Sequence, residues 1–295
     1  MEIIAKKLSR ALSVWVALLA TLMVAALMSV PQARAQERNL VAFGDSVLAD
    51  PGIGIYLVDR MSSFGGSSGS SGSSLADGSS QVPYGANCPS SHNYAKRLGD
   101  RLGLPVHDFS CSGAVTMSDG PLVAAQVDYA ISTGALNVDT QRVIFAAGFN
   151  DTYNNKTLTM EEMRARWVAA TAPIIHRIRQ VAPHARLQIV GYPTIGAGEN
   201  YCLIHLGNNL NLDATPMPQM RFYEDAAQWM QVDLAHATGV EFVDLKGLTR
   251  DNGMCASDQD RMWSGLIDFG PYGRNLPLHL NAHGHEYIAD ILARR

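Results

Sequence analysis

Four short stretches of this 295-residue chain hold the side chains that attack on an ester carbonyl needs. Gly44-Asp45-Ser46 brings a hydroxyl, Cys111-Ser112-Gly113 a glycine free to turn its backbone N–H, and Gly148-Phe149-Asn150-Asp151 a side-chain amide. His279 opens the stretch HLNAHGH, in which His283 and His285 follow. Acyl transfer requires a nucleophile, a base within about 3 Å of it, and donors aimed where negative charge develops. Taken singly, each stretch has a plainer reading. Serine and asparagine are common turn formers, and Asp45 and Asp151 read as structural because aspartate readily accepts nearby backbone N–H groups. His176, His184 and His236 fall within or at the ends of expected helices and read as surface or core residues.

Position gives the four stretches their weight. NLVAFG (39–44), LPVHDFSC (104–111), RVIFAAG (142–148), RLQIVGY (186–192) and VEFVDL (240–245) are short apolar runs that read as buried strands. The first three strands lead into the three stretches that offer the hydroxyl, the backbone N–H and the amide. Helical patterns lie between the strands, at 91–103, at 160–182 with its acidic first turn, and at 220–238. A last helix follows Asn281 as N-cap, with Tyr287, Ile288, Ile291 and Leu292 on one stripe. His279 precedes that cap, on a loop able to reach over the sheet edge, whereas His283 and His285 are fixed in the first helical turn. His279 is therefore the expected base, His285 a structural residue and His283 an exposed one. Strands alternating with helices imply a parallel sheet covered on both faces, and ligands of such sheets bind beyond the C-terminal strand ends.

The remaining segments bound the setting. Lys6, Lys7 and Arg10, an uncharged apolar run over 11–30, and Ala33-Arg34-Ala35 have the three parts of a secretory leader cleaved after Ala35. A retained anchor is the competing reading, since about 20 apolar residues span a bilayer. Loss of residues 1–35 removes four basic residues and Glu2 and takes the formal charge from −4 to −7. Such a chain has no basic footprint for nucleic acid or for anionic membranes. Residues 36–295 are read as one domain carrying a Gly/Ser-rich insertion at 62–80, either a surface loop or a flap beside the crevice. The irregular stretch 199–218 offers Leu203, Ile204 and Leu206 as a substrate wall or as minor core. Four cysteines in an exported chain suggest two disulfides. Three pairings are possible, and Cys88–Cys111 with Cys202–Cys255 is preferred because each closes a local loop. Zinc-ligand spacing is missing, so no metal is expected.

The ordered set GDS, CSGA, GxND and a C-terminal HxNAxGH resembles the SGNH (GDSL-type) hydrolases. The stretch CPSSHNYAKRLGDRLG…DFSCSGAVT is similar to the secreted actinobacterial lipases and esterases of that superfamily, in which a cysteine pair brackets this helix and strand. These motifs span Phe43 to Ile288. The resemblance implies a flavodoxin-like three-layer α/β/α sandwich around a mostly five-stranded parallel sheet. It implies Ser46 as nucleophile, His279 as general base, and an oxyanion hole from the Ser46 and Gly113 N–H groups and the Asn150 side chain.

One family feature is missing. Where many members carry Asp three residues before the base, this chain has Leu276. Either the Leu276 backbone carbonyl holds the histidine, giving a Ser–His dyad, or an acid such as Asp268 folds back. The dyad is favoured, because a carbonyl can fix the tautomer and loss of the acid costs a triad far less than loss of Ser or His. The expectation is a secreted, monomeric serine esterase or lipase acting on small-molecule or lipid esters through an acyl-enzyme, with no cofactor. The alternatives are a carbohydrate or peptidoglycan O-acetyl esterase, an acyltransferase, and a noncatalytic binding protein on the same scaffold.

Overall fold

Every residue of Leu40–Gly44 is buried, and its side chains divide between two separate cores. Val41 and Phe43 enter one core, Leu40 and Ala42 the other. This is the consequence of a period-two backbone with apolar residues at successive positions: both faces of the strand must be covered. The same split recurs in the next strand to pair with it, Val143 and Phe145 on one side and Ile144 and Ala146 on the other.

The computed structural model describes residues 37–57, 85–86, 88–273 and 275–295. The expected leader at 1–35 and the Gly/Ser-rich insertion at 62–80 lie outside the described residues. In chain order the elements are β1 (Leu40–Gly44), α1 (Ser46–Ala49), α2 (Tyr94–Leu102), β2 (Val106–Asp108), α3 (Val123–Ser132), β3 (Arg142–Ala146), α4 (Phe149–Asn154), α5 (Met160–Val181), β4 (Arg186–Val190), β5 (Asn200–Tyr201), β6 (Ile204–His205), β7 (Thr215–Pro216), α6 (Pro218–Thr238), β8 (Glu241–Val243), α7 (Leu245–Leu248), β9 (Ile267–Asp268) and α8 (Ala282–Ala293). The main sheet is parallel throughout, in the order β2-β1-β3-β4-β8. Helices α3, α5 and α6 bury their apolar stripes on one face, and α2 and α8 on the other. The result is the three-layer α/β/α sandwich.

The chain leaves β1 toward β2 on one side and returns to β3 on the other, so a crevice opens between the C-terminal ends of β1 and β3. Two of the elements there that were not among the expected helices are α4 and α3. The six-residue α4 is too short to show a helical period. Helix α3 has Gln126 fully buried within its apolar stripe of Val123, Val127 and Ala130, which blurs its pattern. Gln126 is polar for a reason. Its Oε1 accepts from the Gly44 N–H at 3.0 Å and its Nε2 donates to the Gly44 carbonyl at 2.9 Å. Strand β2 ends opposite Ala42, so Gln126 Oε1 supplies the acceptor that the Gly44 N–H would otherwise lack, while the Gly44 carbonyl is shared with the Cys111 N–H.

Both sulfur pairs are disulfides, Cys88–Cys111 and Cys202–Cys255. Each constrains the unfolded chain, an effect worth about 2–4 kcal/mol. The first also holds the loop after β2 against β1, where the Cys111 N–H donates to the Gly44 carbonyl at 3.0 Å.

Gly44 admits no side chain. A Cβ there would stand 2.5 Å from the backbone oxygen of Ala146, which cannot swing aside. Gly44→Ala is expected to destabilise by about 1–3 kcal/mol. At about 2–4 °C per kcal/mol for a domain of this size, thermal unfolding should show a clear drop in Tm. An unchanged Tm would mean that β1 and β3 separate without penalty.

Candidate active site

Ser46 is the first residue of α1, directly beyond β1, and this turn is tightly built. Asp45 is its N-cap, with Oδ1 accepting from the Val47 N–H at 3.0 Å. The Asp45 N–H donates to the Ala146 carbonyl at 3.1 Å, which fixes the turn to β3. Asp50 closes α1 in the left-handed region (φ 41°), its N–H donating to the Ser46 carbonyl.

Ser46 Oγ lies 2.9 Å from His279 Nε2, although 233 residues separate them. The other ring nitrogen, Nδ1, is 2.9 Å from the Pro277 carbonyl oxygen. A carbonyl only accepts, so Nδ1 carries the proton and Nε2 is left to accept from Ser46. Burial lowers the His279 pKa below its ordinary value, and His285 adds to this. The Pro277 carbonyl and the Asp50 carboxyl act in the opposite direction. The imidazole is therefore held neutral at neutral pH.

This geometry corrects both expected orienting groups. The Leu276 carbonyl faces Ser264 Oγ at 3.0 Å instead of the imidazole. Asp268 is committed elsewhere: its oxygens accept from Arg261 at 2.6 and 3.2 Å and from the Gly265 and Gly270 N–H groups, both at 2.8 Å. Burial works to raise the Asp268 pKa, but these donors hold it below the usual carboxylate range. The reason Pro277 serves is local. Leu278 has φ +60°, and this left-handed step turns the carbonyl two residues back toward the ring. A backbone carbonyl was expected, from Leu276; nothing in the side-chain types marks the left-handed step at Leu278 that brings the Pro277 carbonyl to the ring instead.

The expected oxyanion donors meet at the same crevice. Ser46, Gly113 and Asn150 all line one cavity with His279. Gly113 has φ +79°, a conformation that favours glycine. Among the described residues, neither the Ser46 nor the Gly113 N–H has a protein acceptor. Asn150 Nδ2 donates one hydrogen to the Ala114 carbonyl at 2.8 Å, and its Oδ1 accepts from the Tyr153 hydroxyl at 2.5 Å. Tyr153 thus fixes which way the amide faces and leaves the second N–H of Nδ2 available. It stands three residues on in the same short helix, a spacing that would have flagged it had α4 been anticipated.

Two buried acids hold the three stretches in register. Asp151 accepts from the Thr116 and Met117 N–H groups, the Thr116 and Ser118 hydroxyls and Trp167 Nε1, and so ties the loop after Gly113 to α4. Asp45 Oδ2 accepts from the Tyr192 hydroxyl at 2.5 Å, and that same oxygen of Tyr192 accepts from the Phe149 N–H at 3.0 Å. Tyr192 therefore links the Ser46 turn to the start of α4. Burial pushes the Asp45 carboxyl up to about 7, against the lowering effect of Tyr192 and Val47. His285 is buried, with Nε2 3.1 Å from Asp50 Oδ2 and Nδ1 accepting from the Tyr94 N–H. His283 stacks on Tyr272 with ring centroids 4.9 Å apart and is partly covered where exposure was expected.

The pair opens into a cavity of about 470 Å³. Its walls include Ile53, Phe149, Ile195, Met217, Met220 and Met254, and Asp45 is the only acid among the described residues that line it. Of the three wall residues expected from 199–218, Leu203 lines this cavity, whereas Ile204 and Leu206 do not.

The sequence pattern of the GDSL-like lipase/acylhydrolase family matches residues 70–287, a stretch that holds Gly113, Asn150 and His279 and begins after Ser46. Lipase 2 of Streptomyces coelicolor is 26% identical over 68% of this chain and 74% of its own length. The extracellular lipase of Streptomyces rimosus has the same fold at 18% identity, with a TM-score of 0.53 over 87% of this chain and 99% of that one. A phospholipase A1 of Streptomyces albidoflavus aligns with a TM-score of 0.52 at 17% identity, over 88% of this chain and all of that one. The chain belongs to the GDSL-like lipase/acylhydrolase family of the SGNH superfamily and is a carboxylic ester hydrolase.

Proposed function

We propose that this protein is a secreted serine esterase of the lipase type, which cleaves esters of medium or long acyl chains through a Ser46–His279 dyad. The observation that carries this reading is the 2.9 Å contact from His279 Nε2 to Ser46 Oγ at the foot of a 470 Å³ apolar cavity. His279 takes the Ser46 proton as Oγ attacks the ester carbonyl. The oxyanion accepts from the Ser46 and Gly113 N–H groups and from Asn150 Nδ2. His279 then gives its proton to the departing alcohol, and water, activated by the same imidazole, releases the acid. The Pro277 carbonyl holds the tautomer, the part an aspartate plays in a triad. With its carboxyl pushed up to about 7, Asp45 carries less than a full negative charge near neutral pH beside the developing oxyanion.

Cavity size and lining favour an acyl chain over a sugar acetate. An acetyl methyl would fill a small part of 470 Å³, and three methionines make a wall that adapts to a flexible chain. Export is supported by the leader pattern at 1–35, by the two disulfides and by the extracellular setting of the Streptomyces rimosus lipase.

With p-nitrophenyl acetate, butyrate, octanoate and laurate, kcat/KM should rise from acetate to octanoate. A buried methylene is worth about 0.8 kcal/mol, or roughly fourfold. Ser46→Ala should lose activity by at least about 10³-fold on every ester. A maximum on acetate would replace this reading with an acetyl esterase, and an active Ser46→Ala would remove the nucleophile. The pH profile tests the dyad. Activity needs neutral His279, so kcat/KM should climb with pH through a midpoint below the ordinary 6.5 and level off at neutrality. Asp50→Asn removes an influence that raises the His279 pKa and should move that midpoint lower still. Asp268→Asn should leave the midpoint in place while lowering Tm, since it breaks a buried pair with Arg261; a shift of the midpoint would make Asp268 part of the catalytic relay.

A further inference from the structure

The described residues that line the catalytic cavity divide by exposure. Ile53, Tyr153 and Leu278 are between 40% and 46% exposed and mark its mouth. Ile195, Tyr201, Met254 and Trp263 line the same space but are only 1% to 6% exposed. A lining residue sealed from solvent on its other sides marks an end that does not open. These four residues therefore make the cavity a blind pocket.

Tyr201 is fixed at this closed end from three directions. Its hydroxyl donates to the Glu224 carboxylate. Its ring lies on the backbone of Gly196, where a Cβ would stand 2.7 Å from Cζ. Its neighbour Cys202 is bonded to Cys255, which follows Met254, so two residues of the closed end flank one disulfide. Glu224 also accepts from the Ile195 and Gly196 N–H groups, both at 3.2 Å, and Lys246 Nζ stands 4.0 Å away. A carboxylate buried in an apolar wall is costly unless donors satisfy it, and here each of its oxygens has a backbone donor. Met220, four residues before Glu224 on α6, lines the cavity. One face of α6 thus supplies part of the wall and grips the closed end.

The order of release decides what enters the blind end. The alcohol departs first, while the acyl group is still bonded to Ser46 Oγ, and water must then reach the acyl carbon. An alcohol lodged in the closed end would have no way out past the acyl-enzyme. The alcohol therefore takes the mouth, on the side of His279 and Leu278, and the acyl tail takes the closed end. We propose that Tyr201 sets the acyl-chain length that this enzyme prefers: its ring stops the tail, and Glu224 is the positioning residue that keeps the ring in place. This rests on the lipase reading of the active site.

The test measures kcat/KM of the whole protein on p-nitrophenyl acetate, butyrate, octanoate, decanoate, laurate and myristate in a fixed, low concentration of non-ionic detergent. Wild type should pass through a maximum and decline by myristate. Tyr201→Val should move the maximum at least about two carbons longer and raise the myristate-to-octanoate ratio about tenfold or more, since two further buried methylenes are worth roughly fourfold each. Butyrate is too short to reach the ring, so its kcat/KM should stay within about threefold of wild type, which also shows that the variant folds. Tyr201→Phe keeps the ring and removes only its bond to Glu224. It should raise the same ratio about threefold, and it decides the matter if Tyr201→Val does not fold. A wild-type profile that climbs steadily through myristate overturns the proposal. So do unchanged ratios in the variants, or an equal loss on every ester, which would leave Tyr201 a structural role alone. A wild-type maximum on acetate sinks the lipase reading instead, while the variant ratios still report whether Tyr201 ends the pocket.

Discussion

The hydrogen bond between Ser46 and His279 joins the first strand's exit to the loop before the last helix, and most of the fold can be understood as holding these two ends together. A contact of 2.9 Å across 233 residues is not maintained by its own strength; a typical hydrogen bond nets about 1 kcal/mol. Packing on one sheet face does the larger part. Helices α2 and α8 share a core with β1, and Arg101 on α2 reaches Glu286 and Asp290 on α8. At the centre of this face, Asp50 accepts from Asn275 Nδ2 at 2.7 Å and stands 3.1 Å from His285 Nε2. Asp50 closes the nucleophile turn, Asn275 leads into the histidine loop and His285 lies on α8. One carboxylate thus connects the three segments that must agree for the dyad to form.

The central sheet and the positions of Ser46, Gly113, Asn150 and His279 were legible in the sequence because each rests on a local rule. Fully buried parallel strands read as apolar runs, and the chemical residues follow them within a few positions. The parts that were not legible depend on long-range partners. Gln126 interrupts a helical stripe to bond Gly44, 82 residues away. Pro277 serves through its backbone, and only because Leu278 takes a left-handed conformation. Asp268 was an attractive acid in sequence, but Arg261, itself 2% exposed, requires it for charge balance. Leu206 read as wall or core, yet it is 43% exposed and does not line the cavity.

The electrostatics of the crevice follow from the same economy of charge. A triad aspartate stabilises the imidazolium at the expense of a full negative charge close to the reaction. In this protein a neutral carbonyl touches the imidazole, and the acid nearest the nucleophile, Asp45, has its ionisation pushed up to about 7 by burial. Asp151 lies deeper, consumed by donors from the loop it organises. The surface presented to an incoming ester is then a set of N–H dipoles beside an apolar wall. Such a site gives up some stabilisation of the protonated base, and it presents the acyl chain with a cavity that few charges hydrate. The Pro277 carbonyl, in place of an aspartate at Leu276, is consistent with the apolar cavity beside it.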